Sequence, residues 1–175
     1  ITEQSGTLFV FDEVVTGFRF GPRGAQEYYG VTADLCTYGK VIGGGMALGV
    51  VSGKAKYMDT FDGGQWEYGD DSFPEQPVTF FAGTFVRHPL AMASVKAMLE
   101  FFKTQPSHFW NQINAKGDQL AGTIDNFFKT SQIPIEMPNC GSLMFVRMGE
   151  DQKYGNLFFY HLREKGIFIL EGFPS

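Results

Sequence analysis

Thr-Leu-Phe-Val-Phe-Asp-Glu-Val-Val-Thr-Gly-Phe-Arg-Phe at Thr7–Phe20 and Ala-Asp-Leu-Cys-Thr-Tyr-Gly-Lys-Val-Ile-Gly-Gly-Gly at Ala33–Gly45 decide how this chain is read. The first opens with an apolar run, Leu8–Phe11, which predicts a buried strand. The run stops abruptly at Asp12-Glu13. Open α/β sheets place their ligand chemistry at the C-terminal ends of strands, and a carboxylate falls there. In the second stretch a short strand, Leu35–Tyr38, delivers Lys40, and the glycines Gly43-Gly44-Gly45 follow at once. An acid and a lysine from two strand ends can meet over one cleft.

One cofactor suits that pair. Pyridoxal phosphate (PLP) needs a lysine amine for a Schiff base and an acid that keeps its ring nitrogen protonated. Asp12 and Lys40 are candidates for those two jobs. On spacing alone a plainer reading stands beside this one. An Asp-Glu after a strand is commonly a turn or a helix cap, and a Gly-Lys is commonly a solvated loop.

Three blocks go further: Phe11–Arg19, Gly24–Gly45, and Gly-Thr-Phe-Val-Arg-His-Pro-Leu-Ala-Met-Ala-Ser at Gly83–Ser94. In that order they resemble the class III PLP-dependent aminotransferases, in the branch of glutamate-1-semialdehyde aminomutase. The resemblance implies an α/β fold, the fold type I of PLP-dependent transferases, present as a fragment. Residues 1–104 would then be the C-terminal part of a large PLP-binding domain. Residues 105–175 would be an incomplete part of a small α+β C-terminal domain. It further implies that Lys40 is the Schiff-base lysine and proton shuttle and that Asp12 holds the pyridinium. Val14 would pack on the cofactor ring, and Thr84 would reach the PLP phosphate across a homodimer interface. The phosphate loop of the same subunit and the aromatic residue that covers the ring would lie outside this stretch. His88 departs from the Asn that the aminomutases carry before Pro-Leu-Ala-Met-Ala, and it reads as a helix-start residue.

Within the family two readings compete. One is glutamate-1-semialdehyde 2,1-aminomutase of tetrapyrrole synthesis. The other is the aminotransferase domain of hybrid polyketide–peptide synthases of the microcystin or nodularin kind. The long interval between Lys40 and Thr84, the stretch Trp66–Pro77 and Phe85–His88 resemble the second. It implies an amino-acid donor, glutamate by expectation, and a β-keto acyl acceptor on a carrier protein. A reading of another class is a non-catalytic docking segment of a megasynthase. A dinucleotide-binding domain is disfavoured, because Gly43–Gly49 does not spell G-x-G-x-x-G and Gly53-Lys54 lacks the rest of a P-loop.

Composition agrees with a soluble enzyme. Hydrophobic residues make up 43% and aromatics 16%, ample for a core. The net charge of −5 comes without any basic run, which argues against nucleic acid as a partner. No apolar run approaches the roughly 20 residues of a membrane span. Cys36 and Cys140 form no metal or redox spacing, no metal site is expected, and a cytoplasmic location follows as the default. The start at Ile1 without Met and the end at Ser175 predict an internal piece of a longer protein.

Helices are expected at Ala25–Tyr29, Lys54–Phe61, His88–Thr104, Ser107–Lys129 and Asn156–Lys165. Further strands are expected at Leu48–Ser52, Ile133–Met137, Ser142–Arg147 and Ile167–Leu170. In the fourth helix Phe109, Ile113, Leu120, Ile124, Phe127 and Phe128 form the expected core stripe. Residues 62–79, rich in glycine, proline and acids, predict a long loop with an aromatic core.

Overall fold

The computed structural model describes residues 1–149 and 153–169. The chain divides into two compact units, Ile1–Gln105 and Pro106–Ser175.

The first unit opens with one helical turn, α1 (Thr2–Ser5), ended by Gly6 at φ 65°. Strand β1 (Val10–Asp12) follows, then helix α2 (Gly24–Tyr29), which Gly30 ends at φ 64°. Strand β2 (Leu35–Tyr38) runs parallel to β1, pairing Val10 with Leu35 and Asp12 with Thr37. A 3-10 turn, Lys40–Gly43, leads to β3 (Val50–Gly53), which is antiparallel to β2. The sheet order is β1-β2-β3. Helices α3 (Ala55–Asp62) and α4 (Pro89–Thr104) complete the unit. His88 stands at the N-cap of α4 and Pro89 at its first turn, where a missing N–H costs nothing.

The strand expected at Leu8–Phe11 is shorter and displaced: pairing begins only at Val10 and runs through Asp12. Among the described residues β1 pairs only with β2, and Val10 is 52% and Leu8 40% exposed. The buried apolar residues of the unit are instead Ala25, Ala33, Cys36, Ile42 and Ala91, all but Ile42 small. Helix α4 is held to the 3-10 turn by Ser94 Oγ, which donates to Gly43 O at 2.7 Å. Phe102 of α4 stacks on Phe18 with ring centroids 4.8 Å apart. Gly44, at φ 56°, lets the turn approach α4: a β-carbon there would stand 2.7 Å from Ser94 Oγ.

Apart from Asp62, the last residue of α3, residues 62–79 contain no helix or strand, but their aromatic residues do not form a core. Tyr68 is 97% and Phe73 71% exposed, and Trp66 is exposed too. Backbone contacts anchor the loop instead. The N–H groups of Glu75 and Gln76 both donate to Gly63 O, at 2.9 and 3.2 Å. The Trp66 indole N–H donates to Asp62 O at 2.5 Å.

In the second unit, helix α5 (Phe109–Thr130) packs on β-ladder pieces. These are β4 (Ile135–Glu136), β5 (Asn139–Cys140), β6 (Leu143–Met144) and β7 (Arg147–Met148). Strand β4 pairs with β7 and β5 with β6, all antiparallel. The strands expected at Ile133–Met137 and Ser142–Arg147 are thus reduced to two-residue fragments, and the second is split. Helix α6 (Leu157–Glu164) follows, with Gly166 at φ 77° beyond it. Of the strand expected at Ile167–Leu170, residues 167–169 form none, and Leu170 lies outside the described residues.

The buried stripe of α5 is Trp110, Gly117, Ala121 and Phe128. From the expected stripe, Ile113, Leu120 and Phe127 are exposed. Phe128 of the expected stripe is buried, and Gly117 is small where strand backbone comes close. A β-carbon on Gly117 would lie 2.6 Å from Ser142 Cα. Asn114 Oδ1 accepts from Ser142 N–H at 3.0 Å, and Asp125 Oδ1 from Met137 N–H at 3.1 Å.

Candidate functional site

Asp12 ends β1 at the C-terminal edge of the parallel pair, the position that the topology of open sheets favours for chemistry. Its Oδ1 accepts the Val14 N–H at 2.9 Å and the Thr37 hydroxyl at 3.1 Å. The turn reading of Asp-Glu is therefore correct for half of this carboxylate. Oδ2 carries no hydrogen bond among the described residues, and the side chain is exposed. One oxygen is spent on holding the group still and the other is presented outward.

Lys40 stands just beyond β2, on the neighbouring strand end. Its backbone has φ 50°, one of four non-glycine residues in the left-handed region among the described residues. A lysine gains nothing there by itself; the conformation costs of order 1 kcal/mol and persists only where surroundings impose it. The 3-10 turn that it opens is the imposing element, fastened to α4 through Gly43. The Lys40 amine is exposed and has no ion pair or hydrogen bond among the described residues.

Val14 and Lys40 are brought together through Gly39. A β-carbon on Gly39 would meet Val14 Cγ1 at 3.3 Å and Leu48 O at 3.5 Å. Thr84 is the site candidate that stands apart. It is exposed in the turn of residues 84–87 and shares no hydrogen bond with Asp12, Val14 or Lys40 among the described residues.

Glu13 is the residue that sequence reasoning missed. It is 1% exposed and the one buried charged residue among those described. Its Oε2 accepts from the Thr16 hydroxyl and from Ala25 N–H at 3.0 Å, and its Oε1 from Gln26 N–H at 2.9 Å. Helix α2 has Arg23 at its N-cap and no capping side chain of its own. Glu13 supplies that cap from across the fold, satisfying amides that a helix start leaves open. The sequence did hold a signal: a helix start without Ser, Thr, Asp or Asn. Nearby, burial raises the Cys36 thiol and the Tyr38 hydroxyl above their ordinary pKa values, and the charge of Glu13 pushes both the same way.

The family model of class-III aminotransferases matches residues 1–173. The chain belongs to the class-III aminotransferases. Among relatives of this class-III chain is the glutamate-1-semialdehyde 2,1-aminomutase of Alkaliphilus oremlandii (strain OhILAs), 37% identical over 97% of the chain and 38% of the relative. That of Methanococcus maripaludis (strain C7 / ATCC BAA-1331) is 34% identical over 97% of the chain. The class-III chain spans only 39% of the latter's length.

Solved structures agree on the class-III fold. A transaminase with PLP bound superposes with a TM-score of 0.78 at 26% identity, covering 99% of this chain and 40% of that one. A β-phenylalanine aminotransferase from Variovorax paradoxus gives 0.78 at 28%, covering 99% of this chain and 40% of that one. An ω-transaminase from Sphaerobacter thermophilus gives 0.75 at 30%, covering 96% of this chain and 39% of that one. The chain is thus a partial α/β fold of the PLP-dependent transaminases, about 40% of the length of such an enzyme.

Proposed function

We propose that this chain is the lysine-bearing part of a PLP-dependent aminotransferase, in which Lys40 and Asp12 are the catalytic pair. The observation that carries the reading is the junction at Gly39. There Val14, two residues after Asp12, lies against the residue before a lysine that has no hydrogen bond or ion pair among the described residues. A docking segment freed from catalysis would have no reason to keep a strained lysine and an exposed, half-engaged carboxylate at the ends of two neighbouring strands.

The residues fit PLP. Among the described residues Asp12 Oδ2 is free to accept an N–H while Oδ1 is tied down, and the Lys40 amine is paired with no acid. PLP, when bound, supplies an electron-withdrawing ring that takes up the electron pair of a broken substrate C–H bond. Asp12 would hold the proton on the ring nitrogen. Val14 would pack against the ring. Lys40 would anchor the aldehyde carbon and, once displaced by substrate, carry a proton to and from the substrate carbon. Thr84, exposed in its turn, would bind phosphate of a second subunit in a homodimer. Residues 1–104 belong in this reading to the large PLP-binding domain and 105–175 to the small one. A cytoplasmic enzyme is the matching location.

For the acceptor we favour a β-keto acyl chain tethered to a carrier protein, with glutamate as donor, in polyketide–peptide biosynthesis. Two features support it. The loop 62–79 exposes Tyr68 and Phe73, apolar surface suited to an acyl chain and without an arginine fork for a small carboxylate. A similar structure is an aminotransferase for β-phenylalanine, whose amine lies β to the carboxyl carbon. The second reading is the aminomutase, favoured by the 34–37% identities to enzymes of that name. The test is a competition in the full-length protein. Carrier-bound β-keto acyl thioester and free glutamate-1-semialdehyde are offered at equal concentration, with glutamate as donor. Mass gain on the carrier is expected. Preferential formation of 5-aminolevulinate would overturn the carrier reading in favour of the aminomutase.

A further inference from the structure

We infer that Glu13 is a positioning residue that aims Asp12 and Val14 at the PLP ring, an inference that rests on the assignment of Asp12 to the ring nitrogen. Glu13 lies between the two residues, and every polar group it has is engaged. Its N–H donates to Thr37 O at 2.8 Å, and its carbonyl accepts from Gly17 N–H at 2.8 Å. Its carboxylate takes the Thr16 hydroxyl and the Ala25 and Gln26 amides. The same Thr37 donates its hydroxyl to Asp12 Oδ1. Backbone rotation at Glu13 would move Asp12 and Val14 together, and these five bonds oppose it.

Two glycines make room for the arrangement. A β-carbon on Gly24 would lie 2.5 Å from Glu13 Oε2. One on Gly17 would lie 2.7 Å from Glu13 O and 2.8 Å from Tyr38 Cδ1. A helix cap alone needs no such reach: a Ser or Asp at position 23 would cap α2 locally. The distant cap couples α2 and the turn of residues 14–19 to the strand end that bears Asp12.

The experiment uses the full-length protein loaded with PLP labelled with ¹⁵N in the ring. Wild type, Asp12→Ala, Glu13→Gln, Thr16→Ala and Asp34→Asn are compared for ring-nitrogen chemical shift, PLP Kd and melting temperature. Asp34→Asn is the control, because Asp34 caps Phe9 N–H at the opposite end of the same strand pair. Glu13→Gln is expected to weaken PLP binding about tenfold, the loss of one charged hydrogen bond, and to move the ring nitrogen toward its unprotonated shift. Thr16→Ala, which spares the carboxylate and removes one donor, should do the same more weakly and serves if Glu13→Gln fails to fold. Asp34→Asn should lower melting with the wild-type shift. A wild-type shift and Kd in both Glu13→Gln and Thr16→Ala would overturn the inference and leave the Asp12 assignment standing. A protonated nitrogen in Asp12→Ala would overturn that assignment and the inference with it.

Discussion

Gly39 rests against Val14, with no room for a methyl group to enter without displacement: its β-carbon would stand 3.3 Å from Val14 Cγ1. This contact joins the two strand ends of the site, since Val14 is tied by its N–H to Asp12 and Gly39 precedes Lys40. Gly39→Ala should therefore shift one end by a few tenths of an ångström without unfolding the unit. The expected outcome is a PLP Kd raised several-fold with a melting temperature close to wild type, read by cofactor titration and calorimetry. An unchanged Kd would show that the contact does not set the site.

Lys40 should be the labelled residue when the PLP-loaded full-length protein is reduced with borohydride and its peptides are mapped. Its competitors are occupied. Lys54 Nζ sits 2.7 Å from Asp34 Oδ1, and Lys56 Nζ lies 4.4 Å from the Tyr57 ring centroid. A pyridoxyl group on Lys54 or Lys56 would displace Lys40 from its role.

Removing the acid should be costly to rate and mild for folding, because Asp12 is exposed. Asp12→Ala is expected to lower kcat by more than about a thousandfold, at about 1.4 kcal/mol of lost stabilisation per tenfold. Stopped-flow measurement of the half-reaction with the amino donor reads this directly. Activity within tenfold of wild type would assign the ring nitrogen to another residue.

Gly24→Ala should destabilise the first unit. The residue has φ 67°, and the added methyl would strike the Glu13 carboxylate. A loss of about 1–3 kcal/mol is expected from the strained backbone and the disturbed cap. Urea denaturation gives the value, and a change below about 0.5 kcal/mol, the range of ordinary surface substitutions, would contradict it.

The Asp34–Lys54 pair makes a pH prediction. The Lys54 hydrogen bond, helped by the Phe9 N–H, holds the Asp34 carboxyl below its ordinary value. A folded-state value that is depressed gives stability present above the ordinary carboxylate range. That stability is lost as pH falls through the depressed value. The Asp34 hydrogen bond raises Lys54, whose share is present below the ordinary lysine value and fades as pH rises through the raised one. Wild type and Asp34→Asn should thus differ in urea midpoint at neutral pH and converge in acid. A constant difference down to pH 2 would show that the charge of Asp34 plays no part.

The sequence alone determined which residue types stand where. An apolar run broken by Asp12, a short strand ahead of Lys40 and glycines behind it are local patterns, and so were the extents of α2, α4 and α6 within a residue or two. Glycines past helix ends, such as Gly30, were legible because only backbone conformation decides them. Contacts made at a distance were not. Helical period predicted a stripe of large side chains on α5; Phe128 of it is buried, but Ile113, Leu120 and Phe127 are exposed while Gly117 and Ala121 are buried, Gly117 where strand backbone comes close. Glu13 shows the difference most sharply. By sequence it was the second letter of an acidic pair, and only folding set its carboxylate against the amides of Ala25 and Gln26. A side chain's job depends on which donors surround it, and those donors come from residues that the chain brings back from twelve and thirteen positions away.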